Sequence, residues 1–156
     1  MKSYWNNAEA TVKALDDGWL RTGDLAENLD GRIFIRGRLK DVLVLSNGEK
    51  LPPQDVELAI LGDPVFEQAI LVGEGRPFLT LVTVTRETDE KSLIARANDR
   101  LKQFPRYIRV RRVVPTREPW TVDNGMLTPT LKVRREKVQK ELGAQIERAY
   151  ASGAMD

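Results

Sequence analysis

Strand-like runs in this chain follow one another too closely for crossover helices between all of them. That spacing constrains the fold more than any other feature of the sequence. Trp19-Leu20-Arg21-Thr22 and Arg32-Ile33-Phe34-Ile35-Arg36 read as strands, joined through Leu29-Asp30-Gly31. Asp-Gly is a strong hairpin turn signal. Ahead of them Asn7 can cap a short helix running to Leu15, and Asp16-Asp17-Gly18 stops it. Residues 42–45 form a short strand followed by a tight turn at Asn47-Gly48. Pro52-Pro53 opens a helix through Val56 and Ile60 that Gly62 ends. Residues 68–72 and 78–84 are strands with a Gly-rich turn between them. Thr88 or Asp89 caps a helix with Leu93, Ile94, Ala97 and Leu101 on one face. Residues 107–114 alternate apolar and basic side chains, as a strand with one wet face does. Residues 115–131 read as loop and extended chain. A final helix from about Val133 carries Val138, Leu142, Ile146 and Tyr150, with Glu136 and Lys140 as a supporting pair. This order predicts an α+β fold: a small, mostly antiparallel sheet with flanking helices, preceded by a β-hairpin.

Composition removes several function classes. With 156 residues, 41% of them apolar, the chain can bury one ordinary core. One domain, or one domain with an appended piece, is expected. Charged residues make up 31% and nearly balance at +2, too weak a charge to argue for nucleic acid. There is no cysteine, which excludes disulfides and thiolate metal sites. There is no histidine, which removes histidine acid–base catalysis, Ser-His-Asp triads and most zinc sites. No metal ligand set is evident. No apolar run approaches the roughly 20 residues of a membrane span, and the N-terminus lacks a signal-peptide layout. A soluble, cytoplasmic protein is expected, with membrane association only through some further domain. Arg109, Arg111 and Arg112 have few aromatic neighbours in sequence and read as a solvated sheet face. Trp120 and Met126 read as a packing pair.

The run Gly125-Met126-Leu127-Thr128-Pro129-Thr130-Leu131-Lys132 places one lysine at the end of a rigid, uncharged segment and just before the final helix. A lysine held that way is a point cation aimed at a fixed spot, which suits an anionic substrate. A helix N-terminus disfavours a cation, so a lysine kept there needs a reason. Upstream stand Gly18-Trp19-Leu20-Arg21-Thr22-Gly23-Asp24-Leu25 and Gly37-Arg38-Leu39-Lys40-Asp41-Val42-Leu43. These three segments, in this order and at these separations, resemble the end of the acyl- and aryl-CoA synthetases of the adenylate-forming superfamily. The wording Leu127-Thr128-Pro129-Thr130-Leu131-Lys132 is closer to the long-chain fatty acid CoA ligases than to luciferases or peptide-synthetase adenylation domains. The resemblance runs from about residue 2 to about residue 140.

The resemblance implies a role for each candidate. Asp24 would accept hydrogen bonds from both ribose hydroxyls of the nucleotide, as a fixed carboxylate can; it also reads as a plain turn aspartate. Arg38 would stand at the ribose and phosphates, or serve only in surface pairing. Lys40 resembles the hinge about which a small lid domain swings, and also reads as an exposed loop lysine. Gly48 would bring backbone near CoA and Lys50 a charge near phosphate; a turn lysine balanced by Glu49 explains Lys50 equally well. Lys132 would be catalytic, stabilising charge that collects as a carboxylate attacks the α-phosphorus of ATP.

The implied enzyme is an AMP-forming ligase that uses ATP, CoA and Mg2+ to activate a carboxylic acid, here a long-chain fatty acid. The large N-terminal domain with the phosphate loop and acyl tunnel is missing from these residues. Residues 1–39 are then expected to be the tail end of that domain, and residues 40–156 the lid. The chain alone is expected to be inactive. Two alternatives stay open: a ligase that loads the acyl group onto a carrier protein, and a non-catalytic interaction module with the lid fold.

Overall fold

The structure is a computed structural model that describes residues 2–153. They form two compact units, divided between Val42 and Leu43.

In the first unit, α1 (Ala8–Ala14) starts at Asn7, whose side-chain oxygen accepts from the Ala10 N–H at 2.9 Å. Asp17 and Gly18 then take positive φ (46° and 82°), so Leu15–Asp16 (β1) pairs antiparallel with Trp19–Leu20 (β2). The strand expected over residues 19–22 therefore belongs to a different hairpin. Gly23, at φ 74°, ends the extended run, and the chain restarts as β3 (Asp24–Leu29). It is β3 that pairs with β4 (Arg32–Arg38), across Asp30-Gly31. Both turn residues sit at positive φ (51° and 81°), which matches the twist of a two-residue hairpin. The register shifts between Leu25, opposite Gly37, and Ala26, opposite Ile35. Gly37 adopts φ 144°, a conformation that glycine supplies at this bulge.

The second unit holds the core. A short ribbon pairs β5 (Leu43–Val44) with β6 (Lys50–Leu51). Pro53 sits in the first turn of α2 (Pro53–Leu61), where its missing N–H costs nothing. Gly62 ends this helix as expected, but at φ −65°, not in the left-handed conformation. A Cβ at Gly62 would lie 2.2 Å from the tip of the exposed Arg100 side chain, which would have to swing aside.

The sheet orders as β7 (Gln68–Val72), β8 (Leu79–Val84) and β9 (Val110–Thr116). β7 and β8 are antiparallel; β8 and β9 are parallel, joined by α3 (Glu90–Arg100) as the crossover. β9 begins and ends later than the expected 107–114. The strand runs on through Pro115 because β9 is an edge strand, where a residue without an N–H is tolerated. All six residues of β8 are buried because both faces of the sheet are covered. On one face Leu71, Leu79, Leu81 and Val113 meet Val56 and Ile60 of α2 and Leu93 and Ala97 of α3. On the other, Ile70, Val82 and Val114 meet Trp120, Leu127, Val138, Ile146 and Tyr150.

Polar side chains finish the layers. The Asn98 amide donates to the Val110 carbonyl (2.9 Å) and accepts from its N–H (3.0 Å), while Glu90 accepts from the Val113 N–H (3.1 Å). Asp63, after α2, takes two hydrogen bonds from Arg96 of α3, and that guanidinium holds its carboxyl below the usual range. The Tyr150 hydroxyl donates to the Val72 carbonyl (2.8 Å), and burial pushes its phenol up.

The single final helix expected from Val133 is two helices, α4 (Arg135–Glu141) and α5 (Gly143–Gly153). Leu142 leaves the helical region at φ −98° and ψ 13°, and Gly143 follows it. A glycine lowers helix propensity at such a break. Val138, Ile146 and Tyr150 still face the core. Among the described residues no helix is long and apolar enough to cross a membrane.

Candidate functional site

Two of the residues singled out from the sequence meet across the β3–β4 ribbon. Asp24 lies directly opposite Arg38, and its Oδ1 is 2.9 Å from Nε of the guanidinium. The backbone around them is fixed: Asp24 N–H donates to Thr22 Oγ1 (3.1 Å), and Leu39 N–H to the Gly23 carbonyl (2.8 Å). The result is a half-buried carboxylate beside a half-exposed guanidinium, able to accept hydrogen bonds from hydroxyl groups and to face an anion. Lys40 follows in a 3-10 turn, Leu39–Asp41, with its side chain exposed.

Gly48 and Lys50 share the hairpin between β5 and β6. Gly48 is at φ 83°, with open space where a Cβ would stand. Lys50 is exposed and lies opposite Val44. The Glu49 carboxylate accepts from the Asn47 side-chain amide at 2.9 Å.

Lys132 stands at the tip of a separate arm, and it is not a helix-start residue. Leu127 and Val133 form an antiparallel bridge, and Arg134 N–H donates to the Met126 carbonyl (2.8 Å). These pairings hold the chain extended, so α4 begins only at Arg135. At the tip, Thr128 N–H donates to the Lys132 carbonyl (2.8 Å), and Lys132 N–H to Thr128 Oγ1 (3.1 Å). The backbone of the lysine is thus bonded on both sides, while its side chain is exposed. Among the described residues its ammonium has no ion-pair partner. The arm's root is fixed by Asn124, which accepts from the Thr121 and Met126 N–H groups (2.9 and 3.2 Å), and by Trp120 and Leu127 in the core.

The residue before Lys132 has a feature the sequence hides. Leu131 takes φ 61°, where an L side chain is strained, and its side chain is exposed. Such strain, of order 1–3 kcal/mol, persists only where the surroundings impose it. Leu131→Gly is expected to relieve about 1 kcal/mol here while giving the unfolded chain comparable freedom. The melting temperature should therefore hardly move, whereas amide exchange at Lys132 and Val133 should accelerate. Hydrogen-exchange mass spectrometry checks both.

Arg109 and Arg111 are exposed as expected, but Arg112 is half-buried, with Nη2 donating to the Ser152 carbonyl (3.1 Å). All three line a cleft of about 380 Å3 with Phe78 and Ile94. Sequence reading missed one buried ionic contact altogether: Glu57 of α2 with Arg135 of α4. Its only sequence signal is a carboxylate within an otherwise apolar helix face. Among the described residues no group of three or more acidic, histidine or cysteine side chains is placed to hold a metal ion.

Residues 40–154 match the family model of the AMP-binding enzyme C-terminal domain. The chain is 33% identical, over 94% of its length, to the long-chain-fatty-acid–CoA ligase FadD15 of Mycobacterium tuberculosis, of which it spans 29%. It is 29% identical, over 97% of its length, to the long-chain-fatty-acid–[acyl-carrier-protein] ligase AEE15 of Arabidopsis thaliana, of which it spans 24%. The fold matches the A domain of the carboxylic acid reductase of Segniliparus rugosus, solved with AMP and a carboxylic acid. There the TM-score is 0.86 at 26% identity, covering 96% of this chain and 26% of that one. The chain thus spans under a third of the length of these relatives. The family match and the α+β architecture bear out the resemblance carried by the three motifs: this chain belongs to the family of AMP-binding enzyme C-terminal domains, the closing part of the adenylate-forming enzymes.

Proposed function

We propose that this chain is the mobile lid of an AMP-forming acid–thiol ligase that activates a long-chain fatty acid and passes it to CoA. The observation that carries the reading is Lys132: an exposed ammonium without an ion-pair partner among the described residues, on an arm whose backbone is hydrogen-bonded at both ends. In the first half-reaction a carboxylate oxygen attacks the α-phosphorus of ATP. The bond from that phosphorus to the bridging oxygen breaks, and pyrophosphate leaves. Lys132 offsets the negative charge gathered between the two anions. Asp24 accepts from the ribose hydroxyls, and Arg38 holds Asp24 in place while facing the phosphates. Magnesium enters with ATP.

In the second half-reaction the CoA thiol attacks the carbonyl carbon of the acyl-adenylate, and AMP leaves. The lid turns about Lys40 between the two steps, with residues 1–39 belonging to the large domain. The division of the chain just after the 3-10 turn supports that hinge. The Gly48 turn then gives backbone to CoA, and Lys50 and the arginine-lined cleft give charge to its phosphates. A cytoplasmic working site, reaching a membrane only through the large domain, goes with this reading.

The Arabidopsis relative favours a second reading in which the acceptor is the phosphopantetheine thiol of a carrier protein. The experiment joins this chain to its large domain and supplies ATP, Mg2+, palmitate and either CoA or holo-carrier protein. Thioester on CoA is expected. Thioester on the carrier protein alone would establish the second reading. The chain by itself should give no thioester, and turnover by it would overturn both. A non-catalytic module would leave the joined enzyme indifferent to Lys132→Ala.

A further inference from the structure

The arm that carries Lys132 is tied to the sheet at a point no motif marks. Arg135, the first residue of α4, forms an ion pair with Glu57 of α2, and their side chains are only 24% and 10% exposed. The same carboxylate accepts from the Leu71 N–H through Oε1 at 2.6 Å, and Arg135 Nη1 reaches back to the Leu71 carbonyl at 3.4 Å. Leu71 lies on β7, an edge strand of the sheet. One ion pair therefore closes a ring with the outward backbone groups of Leu71. It joins α2, β7 and the start of α4. Lys132 is three residues from Arg135, and the intervening chain is paired to Met126 and Leu127.

We propose that Glu57 and Arg135 are positioning residues for Lys132. Their ion pair fixes the base of the arm on the sheet edge, and through the arm it fixes where the ammonium stands. A guanidinium suits this task because its planar fork sets direction as well as charge, with Nη2 on the Glu57 carboxylate and Nη1 on the Leu71 carbonyl. A buried pair adds little net stability over an apolar replacement. What it adds here is orientation, through its bonds to the Leu71 backbone. The proposal rests on the reading of Lys132 as the adenylating lysine.

The test uses the complete enzyme, this chain joined to its large domain. Adenylation is measured as fatty-acid-dependent exchange of pyrophosphate into ATP. The second half-reaction is measured as thioester formed from supplied acyl-adenylate and CoA. Arg135→Met is expected to lower the kcat of adenylation roughly 10- to 100-fold, the loss that a displacement of about 1 Å brings. KM for ATP and the second half-reaction should stay within about twofold, because ground-state binding is untouched. Arg135→Lys keeps the charge and loses the fork, so it should recover part of the loss. In the double variant with Lys132→Ala, adenylation should fall no further than in Lys132→Ala alone, since nothing is left to position.

Losses that add in the double variant, or equal losses in both half-reactions, overturn the proposal. A Lys132→Ala enzyme that adenylates normally overturns the reading of the lysine instead. If circular dichroism shows Arg135→Met unfolded, Arg135→Lys and Glu57→Gln carry the same comparison.

Discussion

Lys132→Ala in the complete enzyme should cut adenylation by about two to three orders of magnitude, the scale of losing one preorganised electrostatic contact to a transition state. Thioester formation from supplied acyl-adenylate should stay within about twofold of the parent, because an interaction absent from a step cannot slow it. The expectation rests on the role proposed above for Lys132. The ammonium is exposed, and its backbone is hydrogen-bonded to Thr128 from both directions. Removing it leaves the arm intact, so the melting temperature should not move. Pyrophosphate exchange and a supplied-adenylate assay separate the two half-reactions. Equal loss in both, with an unchanged melting curve, would assign Lys132 a role common to both steps.

The largest loss of stability is expected at Trp120. Its side chain is 2% exposed and packs with Leu127, Val138, Ile146 and Tyr150 against the sheet. Its backbone is clasped by the Gln68 amide, which donates to the Trp120 carbonyl (3.0 Å) and accepts from its N–H (2.6 Å). Trp120→Ala removes the ring and leaves a cavity that rigid neighbours cannot fill, at a cost of about 3–5 kcal/mol. That is a large share of the roughly 5–15 kcal/mol that holds a domain together. Urea unfolding of the chain measures it. Fluorescence gives a second readout, since Trp5 and Trp19 are 97% and 81% exposed. The blue-shifted part of the native emission comes from Trp120 and should vanish in the variant. The same residue roots the arm, so adenylation should fall with stability in this case, unlike the selective loss at Lys132.

How far the sequence could be read depended on whether the deciding force was local. Asn7, Asp30-Gly31, Pro53 and Asp89 mark turns and caps through their own conformational preferences, and each stands where it was expected. β9 was misjudged because Pro115 is tolerated only on an edge strand, and strand order is a tertiary property. The helix break at Leu142 escaped because the apolar spacing of Val138, Ile146 and Tyr150 continues through it. The first hairpin was misassigned because the break at Gly23 competes with an equally plausible strand before it. Of the candidate site, Asp24, Arg38 and Lys132 were legible as motifs. The left-handed Leu131 was not, since leucine carries no signal for that conformation. Nor was the Glu57–Arg135 pair, whose members are 78 residues apart.

The side chains that finish the sheet have a consequence for solubility. Asn98 and Glu90 occupy outward groups of β9 at Val110 and Val113, and Glu57 and Arg135 occupy those of β7 at Leu71. A strand arriving from another molecule meets amide and carboxylate groups there in place of vacant backbone donors and acceptors. Both rims are thereby blunted against recruiting a fourth strand, the step by which small sheets seed fibres.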